Sequence, residues 1–227
     1  MCLIVLAWRV HRSFPLVVAA NRDEFHARPA AAAAFWSDRP GILAGRDLEA
    51  HGTWMGVSRA GRFAAVTNYR GAREPRAAES RGALVSRFLA NDQAPAEYVT
   101  GLRERSALYS GFNLLAADHH DLWWISNRDG APRGLAPGIY GLGNLLLDSP
   151  EVEAAKERLR GAIDPAPAVD SLFALLAESR ILNEQYGTRC STVLLESQDR
   201  RMRYAERSFD AHGAEGETLQ FDVPVGS

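Results

Sequence analysis

The sequence predicts an α+β fold in which pairs of helices cover the outer faces of antiparallel sheets. Three observations carry this. Short runs rich in β-branched and aromatic residues alternate with polar or glycine-marked turns, the pattern of hairpins. Helical periodicity is confined to two stretches, about residues 82–107 and 150–179, each divided into a consecutive pair. No composition shift, long linker or internal repeat divides the chain, so residues 1–227 read as one domain.

Taken in order, Leu3 to Val10 is a strand, residues 11–14 a tight polar connection, and Leu16 to Ala20 the return strand behind Pro15. Asn21-Arg22-Asp23-Glu24 then reads as a polar cluster at the strand end. The alanine run 30–34, between Pro29 and Phe35-Trp36, reads as loop or a short helical turn. Ile42 to Gly45 is a short strand, and Gly52–Ser58 with Arg62–Thr67 is a hairpin turning at Gly61. An arginine-rich loop over 71–79 follows. Ser80 is expected to cap a helix over Gly82–Ala90, with Leu84, Val85, Phe88 and Leu89 on one face, and a second helix runs about Pro95–Ala107.

Phe112–Ala117 and Leu122–Ser126 are strands, and Asn127-Arg-Asp-Gly130 is a turn. Gly138–Gly143 is a glycine-rich strand running into Asn144. Helices are expected from Pro150 to about Arg160 and from Val169 to Ser179. Thr188–Leu195 and Met202–Ser208 form a last hairpin, with Thr218–Val223 as an added edge strand.

Composition narrows the function classes. Apolar residues make up 46% of the chain, enough for a real core, and a net charge of −2 gives no global pull towards nucleic acid or anionic lipid. The basic residues are almost all arginine, with Lys156 the only lysine. Two cysteines, Cys2 and Cys190, make no disulfide framework and point to a reducing compartment. No apolar run approaches the roughly 20 residues of a membrane helix, and the first residues lack the form of a secretory signal. The expectation is a cytoplasmic protein with a small-molecule substrate or ligand, no nucleic acid and no stable membrane insertion. Six histidines without ligand spacing predict no metal, and Gly141-Leu-Gly143 lacks the helix and downstream acid of a dinucleotide site, so no cofactor is expected.

Cys2 is the candidate reactive residue. A small residue after Met1 normally allows removal of the methionine, which would place a thiol and an α-amine on one residue. That residue then supplies both nucleophile and base. A buried short thiol in a strand is the competing reading. The thiolate needs positive charge nearby, the amine needs an acceptor, and an oxyanion needs donors that do not titrate. In an antiparallel hairpin the start of the first strand faces the end of the second. Asn21-Arg22-Asp23-Glu24 should therefore lie beside Cys2, unlike its partial repeat at Asn127-Arg128-Asp129-Gly130. Asn68, Asn144 and Arg189 also sit at strand ends.

Met-Cys-Leu-Ile at the start, Asn21-Arg22-Asp23-Glu24, Ala-Val-Thr-Asn68-Tyr-Arg, Gly-Asn144-Leu-Leu-Leu-Asp-Ser-Pro and Gly-Thr-Arg189-Cys-Ser-Thr occur together in this order. With them the chain resembles the NRDE family of the transport-and-Golgi-organisation type, which in turn resembles the cysteine N-terminal-nucleophile hydrolases. The resemblance implies a four-layer αββα sandwich and cleavage of a C–N amide bond in a small or acylated metabolite. It implies Cys2 as nucleophile, Arg22 beside the thiol, Asp23 near the amine, Asn68 and Asn144 on the oxyanion side, and Arg189 as a second arginine. The hydrolases separate their arginine and aspartate by two residues, so Asn21 and Glu24 are the alternative pair. Eukaryotic relatives imply another reading, a non-catalytic haem or acyl-lipid binding and trafficking protein on the same fold. The loop 70–81, with four arginines and two glutamates, is a candidate lid or acidic-group binder.

Overall fold

The computed structural model describes residues 2–71 and 77–226. The central part of the arginine-rich loop, 72–76, lies outside the described residues, and with it the core of the candidate lid. In chain order the strands of the first half are β1 (Leu3–Trp8), β2 (Leu16–Phe25), β3 (Ala30–Trp36), β4 (Arg39–Asp47), β5 (Met55–Ser58) and β6 (Phe63–Asn68). Helices α1 (Gly82–Ala90) and α2 (Pro95–Arg105) follow, then β7 (Phe112–Ala117), β8 (Leu122–Ser126), β9 (Arg133–Gly134) and β10 (Gly138–Leu142). The chain finishes with α3 (Glu153–Ala162), α4 (Val169–Ala177), β11 (Tyr186–Glu196), β12 (Arg201–Phe209) and β13 (Glu215–Pro224). Single 3-10 turns extend α2 at Ser106–Leu108 and precede α3 at Pro150–Val152.

These elements form two compact units. The first holds the chain up to Arg28 together with Pro137–Gly143 and Leu147–Val225; the second holds Pro29–Ala136 and Asn144–Leu146.

In the first unit a six-stranded antiparallel sheet runs in the order β10-β1-β2-β11-β12-β13. Helices α3 and α4 pack on one face. Alternation fixes which residues meet them: Leu3, Val5 and Ala7 of β1, Val17 and Ala19 of β2, and Val193 and Leu195 of β11 join Leu159, Leu172 and Leu176 of the helices in one core. Each fully buried leucine or valine is worth about 1.5–3 kcal/mol. Lys156, on α3, pairs with Asp148 at 3.0 Å and Glu153 at 3.2 Å. Asp148 in turn accepts the Gly141 amide at 2.9 Å, which ties the segment after Asn144 to β10.

In the second unit a seven-stranded antiparallel sheet runs β3-β4-β5-β6-β7-β8-β9, with α1 and α2 on one face. Their core joins Leu84, Val85, Phe88 and Leu89 of α1 to Val99 and Leu102 of α2 and to Ala64, Leu114 and Ile125 of the sheet. The apolar face expected for α1 is the one it buries. Gly61 turns the β5–β6 hairpin with φ +76°, a conformation that favours glycine. Gly52 lets α1 approach closely: a Cβ there would lie 2.5 Å from the Gly82 carbonyl carbon.

Several sequence expectations are corrected. The alanine run 30–34 is not loop or helix but the body of β3, a half-exposed strand paired with β4. Alanine's helical propensity is a weak prior, and pairing overrides it. The first strand ends at Trp8 rather than Val10, and Arg9 with φ +51° starts the turn. Asn21–Glu24 does not follow β2 but lies within it, because β11 pairs along its whole length. Ser80 is one residue too early to be the cap of α1, although its hydroxyl accepts the Gly82 amide at 3.3 Å. Among the described residues no helix is long and apolar enough to cross a membrane.

Candidate functional site

The pairing of β1 with β2 sets Leu3 opposite Asn21, so Cys2 meets the strand at Arg22 and Asp23. The Cys2 thiol donates to the Asp23 carbonyl oxygen at 3.5 Å. Burial pushes this thiol up to about 11, the Asp23 charge adds to the rise, and the Arg22 charge pulls the other way. At pH 7 it is therefore a neutral thiol.

The four residues of the motif divide by strand alternation and by partner. Asn21 points towards α4: its amide donates to the Leu176 carbonyl at 2.9 Å and its oxygen accepts Ser191 at 2.6 Å. It joins β2 and β11 to the end of α4. Arg22, on the opposite face of the strand, is buried at 6% exposure. Glu24 stands 3.8 Å from the Arg22 guanidinium and 3.9 Å from that of Arg28. Asp23 is buried and accepts Thr188 Oγ1 at 2.6 Å. Burial raises its carboxyl above the usual carboxylate range, and the Thr188 bond offsets part of the rise. Of these four residues, it is Asp23, through its carbonyl, that the thiol bonds to, while Asn21 bonds to Leu176 and Ser191 and Glu24 stands between Arg22 and Arg28.

Arg189 lies within β11 rather than at the start of a strand. It is the extra residue of a bulge in β11, where Thr188 faces Asp23 and Cys190 already faces Arg22. A bulge re-aims a side chain. Here the Arg189 guanidinium binds the carbonyls of Phe25, His26 and Arg28 at 3.1, 3.1 and 3.3 Å. Its observed work is to hold the turn that follows Glu24.

Asn68 and Asn144 belong to the second unit. They do come together, the Asn144 amide donating to the Asn68 carbonyl at 2.8 Å and the Arg70 amide to the Asn144 carbonyl at 2.6 Å. Asn113 supports them: fully buried, it donates to Thr67 Oγ1 at 3.2 Å and to the Leu145 carbonyl at 2.8 Å.

Sequence reasoning missed Thr188, Tyr186, Ser191 and Asn113. Tyr186 donates to the same Asp23 carbonyl as the thiol, at 3.1 Å. The signal for Thr188 and Ser191 lay in the Gly-Thr-Arg-Cys-Ser-Thr run, once β11 is known to pair with β2. Nothing in the run around Asn113 marks it out. The second Asn-Arg-Asp copy is a turn, as expected, with Asn127 accepting the Phe112 amide at 2.9 Å. Among the described residues no group of three His, Cys, Asp or Glu is placed to hold a metal ion.

With this geometry in place, the relatives can be set beside it. The family model described as Transport and Golgi organisation 2 matches residues 1–185. This chain belongs to that family. A "Transport and Golgi organization protein 2 homolog" of Bos taurus is 35% identical over 86% of this chain and 87% of its own. The Homo sapiens homolog is 33% identical over 95% of this chain and 94% of its own. Among solved structures, a mutant conjugated bile acid hydrolase from Clostridium perfringens superposes with a TM-score of 0.60 at 9% identity, over 97% of this chain and 92% of that one. A Caenorhabditis elegans N-acylethanolamine-hydrolyzing acid amidase ortholog gives 0.53 at 13% identity, over 86% and 92%. Two antiparallel sheets with few helices, in the fold of the N-terminal-nucleophile hydrolases, are thus common to the family member described here and to these enzymes.

Proposed function

We propose that the protein is an N-terminal-cysteine amidohydrolase of the cytoplasm, acting on a C–N amide bond of a small or acylated metabolite once Met1 is removed. The observation that carries this reading is the Cys2 thiol seated on the Asp23 carbonyl beside Arg22, at the meeting of β1 and β2. Support also comes from the hydrolase-like fold. Without a base the neutral thiol is a poor nucleophile, and removal of Met1 puts an amine on the same residue.

In the proposed reaction that amine takes the thiol proton and sulfur attacks the amide carbonyl. The C–N bond breaks as the proton passes to the leaving nitrogen, giving a thioester. Water then hydrolyses the thioester, releasing the acid and restoring the thiol. Arg22 stabilises the thiolate and Asp23 orients the amine. Asn68 and Asn144 are assigned to the oxyanion, where one donor is worth roughly 3 kcal/mol. Arg189 keeps its turn, and the strand that carries Asp23, in place.

A second reading is a non-catalytic haem or acyl-lipid carrier on the same fold. It is favoured by a thiol held near 11, which is inert while Met1 remains. The names of the relatives also speak of transport. One experiment separates the two. Intact mass is measured on native protein, and wild type and Cys2→Ser are then assayed on a panel of acyl-amides. The hydrolase reading expects loss of Met1 and turnover that falls at least 100-fold in Cys2→Ser. Retained Met1, or turnover indifferent to the substitution, sinks it.

A further inference from the structure

The helix pair of the first unit packs mainly on β1, β2, β10 and β11. Beyond α4, over β12 and β13, lies a cleft of ≈ 410 Å³ lined by Phe173, Ala174, Arg180, Arg207, Phe209 and Glu215, among others. Two arginines, Arg180 and Arg207, line it together. The Arg180 guanidinium lies over the Phe209 ring, its Cζ 3.7 Å from the centroid, and that of Arg207 over the Phe173 ring at 4.5 Å. Each is held by a further bond, Arg180 to the Gly213 carbonyl and Arg207 Nε to Thr218 Oγ1 at 3.0 Å. Both side chains are three-quarters buried, at 24% and 25% exposure.

Among the described residues, the Glu215 carboxylate serves both. Glu215 stands 3.7 Å from Arg180 Nη1 and 3.4 Å from Arg207 Nη1, and is itself 55% exposed. Those separations exceed the roughly 2.7–3.2 Å of a made hydrogen bond. The planar fork of arginine suits a carboxylate, and two forks orient it. Two pre-positioned cations therefore share one loose, solvent-facing anion, with open space beside them. Asp170, on the wall of the same cleft, disfavours a ligand carrying more than one negative charge. Ala174 and Ala177, one turn apart on α4, line the space with small apolar groups.

We propose that this cleft binds a small organic monocarboxylate, its carboxylate replacing that of Glu215 between Arg180 and Arg207 and its apolar part lying along Ala174 and Ala177. Glu215 is then an internal stand-in that keeps the arginines paired when the cleft is empty. The site is separate from Cys2 and does not depend on the hydrolase reading.

The test is calorimetric titration of the full-length protein with hexanoate and with its neutral counterpart hexanamide. Hexanoate is expected to bind saturably at one site, and hexanamide not at all. Arg180→Gln and Arg207→Gln should each weaken hexanoate at least tenfold. Glu215→Gln, which removes the internal competitor, should tighten it several-fold. Far-UV circular dichroism checks that each variant is folded, and if an arginine variant is not, Glu215→Gln decides. The proposal is overturned by any one of three results: absence of saturable hexanoate binding, equal binding of the amide, or weaker binding by Glu215→Gln. Undiminished binding in both folded arginine variants overturns it as well.

Discussion

Asp23 is costly where it stands. Its carboxyl is buried and raised above the usual range, so the native chain holds the proton more tightly than the unfolded chain does. A group of this kind favours the folded state below its unfolded pKa, about 3.9, and that contribution is lost as pH rises through the higher folded value. Asp23→Asn keeps an oxygen for Thr188 Oγ1 and removes the charge. Its thermal midpoint should match wild type near pH 4 and rise above it progressively towards pH 7, measured as the difference between the two proteins at each pH. A constant difference across that window would contradict a raised Asp23. The neighbouring Cys2 thiol shares this placement and is held where charge is expensive, the condition under which a reactive group is usually kept.

At the scale of elements, Arg62 shows what joins a hairpin to a helix pair. From the start of β6's hairpin its guanidinium lies on the Phe88 ring at 3.9 Å and donates to the Phe88 carbonyl at 3.0 Å, closing the end of α1. It also donates to the Gln93 carbonyl at 2.6 Å and Asn91 Oδ1 at 3.2 Å, ordering the turn into α2. Arg62→Ala strands these acceptors and should cost about 3 kcal/mol in urea unfolding, with Arg62→Lys recovering only a part. A loss under 1 kcal/mol would mean that water replaces the guanidinium without penalty.

Much at this scale was legible in the sequence. The helix faces, the hairpins and the return of β2 to Cys2 all follow from local periodicity and turn residues. What was not legible depended on distant partners. The polar letters Asn21–Glu24 read as a strand end because nothing local says that β11 will arrive to pair with them. The Ala30–Ala34 run became a strand only through β4. Arg189 reads as a strand-start residue, and the bulge that turns it towards residues 25–28 has no signature in its neighbours. Asn68 and Asn144 stand out in the sequence at strand ends, whereas Asn113, which bonds to Thr67 and Leu145 beside them, reads like any strand residue.

Across the whole molecule, 26 basic and 28 acidic residues nearly cancel, and arginine supplies almost all of the positive charge. The arginines described above act through contacts over rings and several simultaneous bonds, on Phe88, Phe173 and Phe209 and on the turn carbonyls. Lysine, with its single ammonium point, could not serve there. The one lysine has a different task. Burial pushes the Lys156 ammonium down, but its bonds to Asp148 and Glu153 outweigh this and hold it above its ordinary value. An amine-directed acylating reagent in limiting amount should therefore modify the α-amine at least tenfold faster than Lys156, read by peptide mass mapping. Comparable rates would show the Lys156 pairs to be open in solution. The same clamp has a consequence for how the protein can be marked in a cell. Any enzyme that writes a signal on lysine finds a single address in these 227 residues, and writing there would unfasten Asp148 from α3.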